Sequence, residues 1–420
     1  MDTRDEDVVA LTHVCRGWRE VFVSRPTLWT NLKCVDEDKT HVYLERSKSF
    51  PISLSLHSVY MAPPDSFFEF IPGISGRLKS LNVNLDSEDL QFISPYLSRP
   101  APLLEVLWMR SEYNPELEST LFDGGLPSLR ELRLEHVRTK LPWRNMINLT
   151  SFTLDSDSVS VCQLLDFFEG APHLRRVEIH STSPKRSGAR DGRLVPLPHL
   201  QWMDTRNYSS SRLFDHLLIP VGAQLHMEVD LLLSHRLEGC PPRFIDNLKN
   251  LSGFTAIGFY SGTWCIEFSG PNGEVLMDTP EIGTTLLLEF LTYFDTSKTK
   301  RFEILGRRGS LTGDHVHRTL LPMKDLHTIK FDQDNAAQTL HALHPGMSSS
   351  GVMVCPKLDE LIIVRWQGFD IEKVAATVAA RASRGAKLKS VKIVSWDGTV
   401  YSQPDVLELT KHVPHAECDH

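Results

Sequence analysis

Apolar residues recur along this chain in one short phrase: a leucine, two variable residues, an apolar residue, one variable residue and another apolar one. It reads Leu78-Lys-Ser-Leu-Asn-Val, Leu104-Glu-Val-Leu-Trp-Met, Leu129-Arg-Glu-Leu-Arg-Leu, Leu149-Thr-Ser-Phe-Thr-Leu and Leu174-Arg-Arg-Val-Glu-Ile, then more weakly Leu200-Gln-Trp-Met-Asp-Thr. Successive starts lie 26, 25, 20, 25 and 26 residues apart. The phrase returns at Leu326-His-Thr-Ile-Lys-Phe, Leu358-Asp-Glu-Leu-Ile-Ile and Leu388-Lys-Ser-Val-Lys-Ile, spaced 32 and 30. The alternation closing each phrase has the period of a half-buried strand. Proline or glycine stops precede the phrases, as at Pro102, Leu126-Pro127, Gly170-Ala-Pro172 and Cys355-Pro356. Between phrases the period becomes helical. Ser160 is placed to cap VCQLLDFFEG, whose Val161, Leu164, Leu165 and Phe168 share a face before Gly170. Asp370 is placed to cap IEKVAATVAARASRG, which Gly385 ends.

A strand and a helix every 20 to 30 residues predict an α/β fold that resembles an irregular leucine-rich-repeat solenoid. The family's asparagine, eight residues after the first leucine, ties neighbouring turns together. Its place here is held by Asp86, Glu112, Val137, Asp157, Thr182 and Tyr208, so a regular asparagine ladder is not expected. The expected organisation is a helical segment over 1–50, a first repeat part over 51–208, an irregular insertion over 209–320, a last repeat part over 321–410 and a tail over 411–420. Within the insertion, FIDNLKNLSGFTAIGFY reads as one degenerate repeat, and TWCIEFSGPNGEVLMD as two strands joined at Gly270-Pro-Asn-Gly273. TLLLEFLTYF reads as a helix, followed by strand character in KRFEIL. The loops 181–192 and 347–351 have the composition of exposed connections.

The first fifty residues have a different pattern. In VVALTHVCRGWREVF, Val8, Leu11, Val14, Cys15, Trp18, Val21 and Phe22 fall three or four apart and predict one helical face, opposite Arg16, Arg19 and Glu20. Pro26 breaks it, and Leu28, Trp29 and Leu32 begin the next piece. Asp38 is placed to cap a further helix, and PISLSL alternates as the first sheet strand. The order Val14-Cys15-Arg16-x-Trp18-Arg19, then Pro26-x-Leu28-Trp29, then YLERSKSFPISLSL, resembles the second half of an F-box. More narrowly it resembles the F-box proteins with trailing repeats of mushroom-forming fungi, which the Gly-Pro-Asn-Gly hairpin also fits. The Leu-Pro-x-Glu opening and the Ile-Phe helix of an F-box have no counterpart ahead of Val14 in this sequence. The resemblance implies docking on a Skp-type adaptor of a cullin ubiquitin ligase through Leu11, Val14, Cys15, Trp18, Pro26, Leu28 and Trp29. It also implies that the repeats hold a protein target.

Charge and composition narrow the function classes. The 420 residues carry 45 basic and 53 acidic side chains, a balance of −8, without the basic excess of a nucleic-acid binder. No stretch approaches the roughly 20 apolar residues of a membrane span, and the acidic start MDTRDEDVVA lacks the apolar core of a secretory signal. Seven scattered cysteines, with no Cys-x-x-Cys pair, suit a reducing compartment, so a cytoplasmic or nuclear protein is expected. There is no Gly-x-Ser-x-Gly elbow, His-Glu-x-x-His helix or phosphate-binding Gly-x-x-x-x-Gly-Lys loop. GRRGSLTG at 306–313 lacks the lysine and the spacing of such a loop. The tail HVPHAECDH gathers His412, His415, Cys418 and His420, but Pro414 disrupts a helical arrangement and a terminal segment tends to fray. Neither catalysis nor a metal or other cofactor is therefore expected.

The remaining candidate chemistry lies on the strands. The apolar residues of each phrase turn inward, so those between and flanking them line the open side of the sheet. That row includes Trp108, Arg110, Arg133, Glu135, Asp155, Glu178, His180, Trp202, Asp204 and Arg206. Aromatic residues and arginines mixed with acids suit a protein-binding surface. The sequence thus points to a non-enzymatic recognition protein of F-box type, or to a repeat-based interaction module without a ligase.

Overall fold

The computed structural model describes residues 5–34, 37–57, 68–123, 125–140, 146–156, 159–180, 193–209, 211–228, 244–260, 265–278, 288, 290–306, 312–346, 352–365, 371–395 and 409–419. It is mixed α/β with large, mostly parallel sheet structure, and the chain divides into two compact units, 1–208 and 209–420. Among the described residues no helix is long and apolar enough to cross a membrane. The loops 181–192 and 347–351, the Asp370 cap, Asp157 and residues 307–311 lie outside the described residues.

The first unit opens with helices α1 (Asp5–Thr12) and α2 (Arg16–Val23), then strand β1 (Asn31–Cys34), helix α3 (Glu37–Ser47) and strand β2 (Ile52–His57). The repeated phrase supplies β3 (Leu78–Asn84), β4 (Val106–Arg110), β5 (Glu131–Glu135), β6 (Ser151–Asp155), β7 (Arg176–His180) and β8 (Trp202–Ser209). Helices α4 (Ser87–Ile93) and α5 (Val161–Gly170) lie between phrases. The eight strands pair in chain order and all in parallel, from β1 to β8.

The leucine that opens each phrase is a turn residue with a buried side chain. Leu104, Leu129, Leu149, Leu174 and Leu200 each donate their backbone N–H to the carbonyl three residues back, at Ala101, Leu126, Met146, Ala171 and Leu197. Four of these five turns carry proline second, at Pro102, Pro127, Pro172 and Pro198, where its fixed φ suits a type I turn. All five leucines are buried, each worth about 1.5–3 kcal/mol. Backbone rungs then join successive turns: Arg130 N–H to Glu105, Thr150 to Arg130, Arg175 to Thr150 and Gln201 to Arg175. Where the family's asparagine is missing, side chains of the turn help to tie neighbours. Ser128 donates to the Pro102 carbonyl at 2.6 Å and Asn148 to that of Pro127 at 2.7 Å. Asp86, in the asparagine's place, instead caps α4 by accepting from the Asp89 N–H.

Helix α5 forms as its sequence predicts. Ser160 accepts from the Gln163 N–H while Gln163 accepts from the Ser160 N–H, a closed capping box, and Val161, Leu164, Leu165 and Phe168 are buried. The N-terminal segment differs from expectation. The single helix predicted over residues 8–22 is two, because Cys15 is extended (φ −159°, ψ 169°) and Arg19 Nε donates to the Thr12 carbonyl that ends α1. Helix α3 starts at Glu37, ahead of the predicted Asp38 cap. The sheet begins one strand before PISLSL, with β1 parallel to β2.

The second unit contains β9 (Gln224–Glu228), β10 (Ala256–Tyr260), β11 (Cys265–Gly270), β12 (Gly273–Asp278), β13 (Arg301–Leu305), β14 (Thr328–Asp332), β15 (Glu360–Arg365), β16 (Ser390–Ser395) and β17 (His415–Asp419). Its helices include α6 (Gly313–Leu320), α7 (Gln333–Leu343) and α8 (Ile371–Ser383). The strand order is β9-β12-β11-β10-β13-β14-β15-β16-β17. Only β11 runs against its neighbours, so the Gly-Pro-Asn-Gly hairpin extends the parallel sheet. Residues 411–420, expected as a tail, contribute β17, which pairs with β16. Behind the sheet, Arg381 of α8 is buried. It donates to the carbonyls of Val354 at 2.9 Å and Cys355 at 2.7 Å, and burial pulls its pKa down.

Candidate functional site

Two surfaces of the first unit carry the expected residues. The first is the N-terminal helix pair. Trp29 is fully buried: its indole N–H donates to the Phe22 carbonyl at 2.9 Å, Tyr43 meets its ring edge-on at 4.9 Å, and the Arg46 guanidinium lies 4.3 Å from the ring centroid. Trp29 is therefore core, a correction to its expected place in a docking surface. Leu11, Pro26 and Leu28 are half-buried, and Cys15 is exposed. None of the residues of α2 is buried. Val14, Trp18 and Val21 are 62%, 47% and 49% exposed, and Trp18 lies 5.9 Å from Phe22. Trp18, Val21 and Phe22 are spaced by three and one and so share one face of α2, with Val14 exposed just ahead of its N-cap. Arg16, Arg19, Glu20 and Arg25 flank it, with Arg16 and Glu20 paired at 3.0 Å.

The second surface is the open face of the sheet, where the parallel register sets side chains in rows. One row runs Asn82, Trp108, Arg133, Thr153, Glu178 and Asp204 across β3 to β8. A second runs Asn84, Arg110, Glu135, Asp155 and His180, and a third brings Arg176 beside Trp202. The Arg133 guanidinium lies 4.9 Å from the Trp108 ring and pairs with Glu135, which Arg110 also approaches at 3.7 Å. Arg176 repeats the arrangement, 4.0 Å from the Trp202 ring and 2.6 Å from Glu178. Asp155 faces His136 at 3.5 Å. Such stacks hold an arginine at little remaining entropic cost while its outer donors stay available.

Most of the expected row is thus assembled on one face, with one exception. Asp204 is 1% exposed and presents nothing to a partner, because β8 buries Met203, Asp204 and Thr205 in succession. The side chain of Arg206 lies outside those described. Arg176 and Thr153 were missed, although the alternation that marks Glu178 puts Arg176 on the same face two residues earlier.

The second unit holds a thiol, a carboxylate and an imidazole close together. Cys265 hydrogen-bonds Asp278, and His226 Nε2 lies 2.8 Å from the same carboxylate. Burial, then the negative Asp278, push the thiol pKa up. Both groups meet the carboxylate and the thiolate is disfavoured, the reverse of an activated nucleophile. No group of three or more His, Cys, Asp or Glu among the described residues could hold a metal ion. Arg193 pairs with Glu169 at 2.9 Å and Asp166 at 2.7 Å, and these hydrogen bonds raise its pKa.

No protein-family model and no curated protein matches the chain. The functional reading therefore rests on these two surfaces.

Proposed function

We propose that the chain is a substrate receptor of F-box type, with a leucine-rich-repeat-like solenoid, that presents a protein target to a cullin ubiquitin ligase in the cytoplasm or nucleus. The observation that carries this reading is α2, an amphipathic helix that leaves Trp18 and Val21 uncovered, with Val14 exposed just ahead of its N-cap. An exposed apolar stripe with a polar surround marks a partner site. Its place in the F-box resemblance makes a Skp-type adaptor the partner. The target lies on the sheet face, held by the Arg133–Trp108 and Arg176–Trp202 stacks. The mechanism is positioning: one surface is tethered and the other selects.

A second reading is a repeat-based interaction module without a ligase. Trp29 and Tyr43 favour it, because their burial beside β1 also fits a helical cap that closes one end of the sheet. A pull-down on a purified Skp-type adaptor separates the two. Trp18→Ala with Val21→Asp removes the stripe while leaving the Trp29 core in place. Binding that this variant loses supports the receptor. A folded chain that never binds the adaptor sinks that reading in favour of the cap.

A further inference from the structure

The turns before β13 to β17 share an edge that is strongly basic. Three residues back from the register partners Arg301, Thr328, Glu360, Ser390 and His415 stand Lys298, Asp325, Lys357, Lys387 and His412. The next residue of each turn (Thr299, Leu326, Leu358, Leu388 or Val413) is buried, so the five turns are equivalent. Backbone rungs hold them together: His327 N–H donates to Lys300, Asp359 to His327 and Lys389 to Asp359. The turn segments 298–300, 324–327, 357–359, 387–389 and 411–414 hold seven lysines against two aspartates, in a chain whose net charge is −8. Both aspartates are already engaged, Asp325 by Lys357 at 2.6 Å and Asp359 by His327 and Lys389, each at 3.0 Å. Lys298, Lys324 and Lys387 are exposed and form no ion pair with a described residue.

We propose that this rim docks an extended acidic segment of a protein partner. Five strands at about 4.8 Å span roughly 19 Å, the length of about six extended residues. The charge is supplied as lysine point charges, which suit single carboxylates. A polynucleotide fits less well. The turn positions offer no Trp, Tyr or Phe on which bases could stack, Asp325 and Asp359 interrupt the row, and the net negative chain repels a long polyanion. A short segment feels chiefly the lysines within about a Debye length, roughly 8 Å at physiological salt. The inference goes beyond the receptor reading and does not depend on it.

Fluorescence anisotropy on the full chain tests it, with a fluorescein-labelled peptide of six glutamates between glycines, its six-glutamine counterpart and a six-nucleotide oligothymidylate. The K298E/K324E/K387E variant is compared with K298Q/K324Q/K387Q and with K33E/K48E/K249E, which makes the same charge change elsewhere. Thermal melts by circular dichroism confirm that each variant is folded. The expected result is salt-sensitive binding of the glutamate peptide alone, weakened at least about tenfold by the rim reversal and less by the glutamine variant. The control reversal changes it less than about twofold. Equal loss in the control, tighter binding of the oligothymidylate, or no binding of the glutamate peptide at low salt each overturns the proposal. Adaptor binding is measured on the same variants and stays unchanged by the rim reversal, so the failure of either idea is separable from that of the other.

Discussion

At the scale of single residues, two tryptophans of the opening stretch have opposite roles although their sequence contexts look alike. Trp29 is buried and hydrogen-bonded to the Phe22 carbonyl, whereas Trp18 is 47% exposed. Trp29→Ala is expected to cost about 3–5 kcal/mol, and Trp18→Ala to stay within about 0.5 kcal/mol. Denaturant titration with hydrogen exchange over residues 5–57 checks both, and equal effects would contradict the burial. Asp359 gives a pH-dependent prediction. The hydrogen bond from His327, then that from Lys389, hold its carboxyl below the ordinary value. Because the folded pKa lies below the unfolded one, its contribution to stability is present above the unfolded pKa and is lost as pH falls through the folded pKa. His327→Ala should move the carboxyl titration upward, and Lys389→Met should move it by less. Side-chain NMR titration reads both shifts, and an unmoved midpoint would show that the contacts do not hold in solution.

At the scale of elements, what was legible in the sequence followed from local rules. Strands β3 to β7 are marked by apolar alternation that their five phrases repeat, and α5 by a cap and a stripe that agree. The N-terminal helices were legible only as periodicity. A pattern of three and four shows which residues share a face but not whether that face meets a core, and Val14, Trp18 and Val21 do not. Asp204 fails for the opposite reason: β8 departs from the alternation by burying consecutive residues, which no spacing announces. The rim lysines were not legible because they belong to turns 25 to 32 residues apart and meet only once register is fixed. The hairpin was legible from its turn alone. Gly273 there adopts φ 112°, and a Cβ added to it would stand 2.9 Å from the Ala223 carbonyl oxygen. Gly273→Ala should therefore cost about 1–3 kcal/mol. The loss should appear as faster amide exchange in β11 and β12, and an unchanged exchange rate would mean that the turn relaxes without strain.

At the scale of the whole molecule, strand order equal to chain order in the first unit has an energetic consequence. Each strand of β1 to β8 is bonded only to its immediate neighbours, and each rung joins one turn to the next. Stability in such an array is a sum of local terms and nearest-neighbour interfaces, so damage should remain near its source. Leu132, the second residue of β5, is fully buried, and its register partners are Leu107 and Phe152. Leu132→Ala removes contacts to both and should cost about 2–5 kcal/mol locally. Native-state hydrogen exchange should then show β4, β5 and β6 losing most protection, with β2 losing less. A uniform loss from β2 to β7 would mean that the sheet opens as one cooperative body, and the two proposed surfaces, on α2 and on the sheet face, would then be energetically coupled. A graded loss would mean that the sheet face can deform around a partner while the Trp29 core keeps α2 in place. That outcome is the one the neighbour-only pairing predicts, and it suits the proposed receptor, in which the two surfaces would act independently.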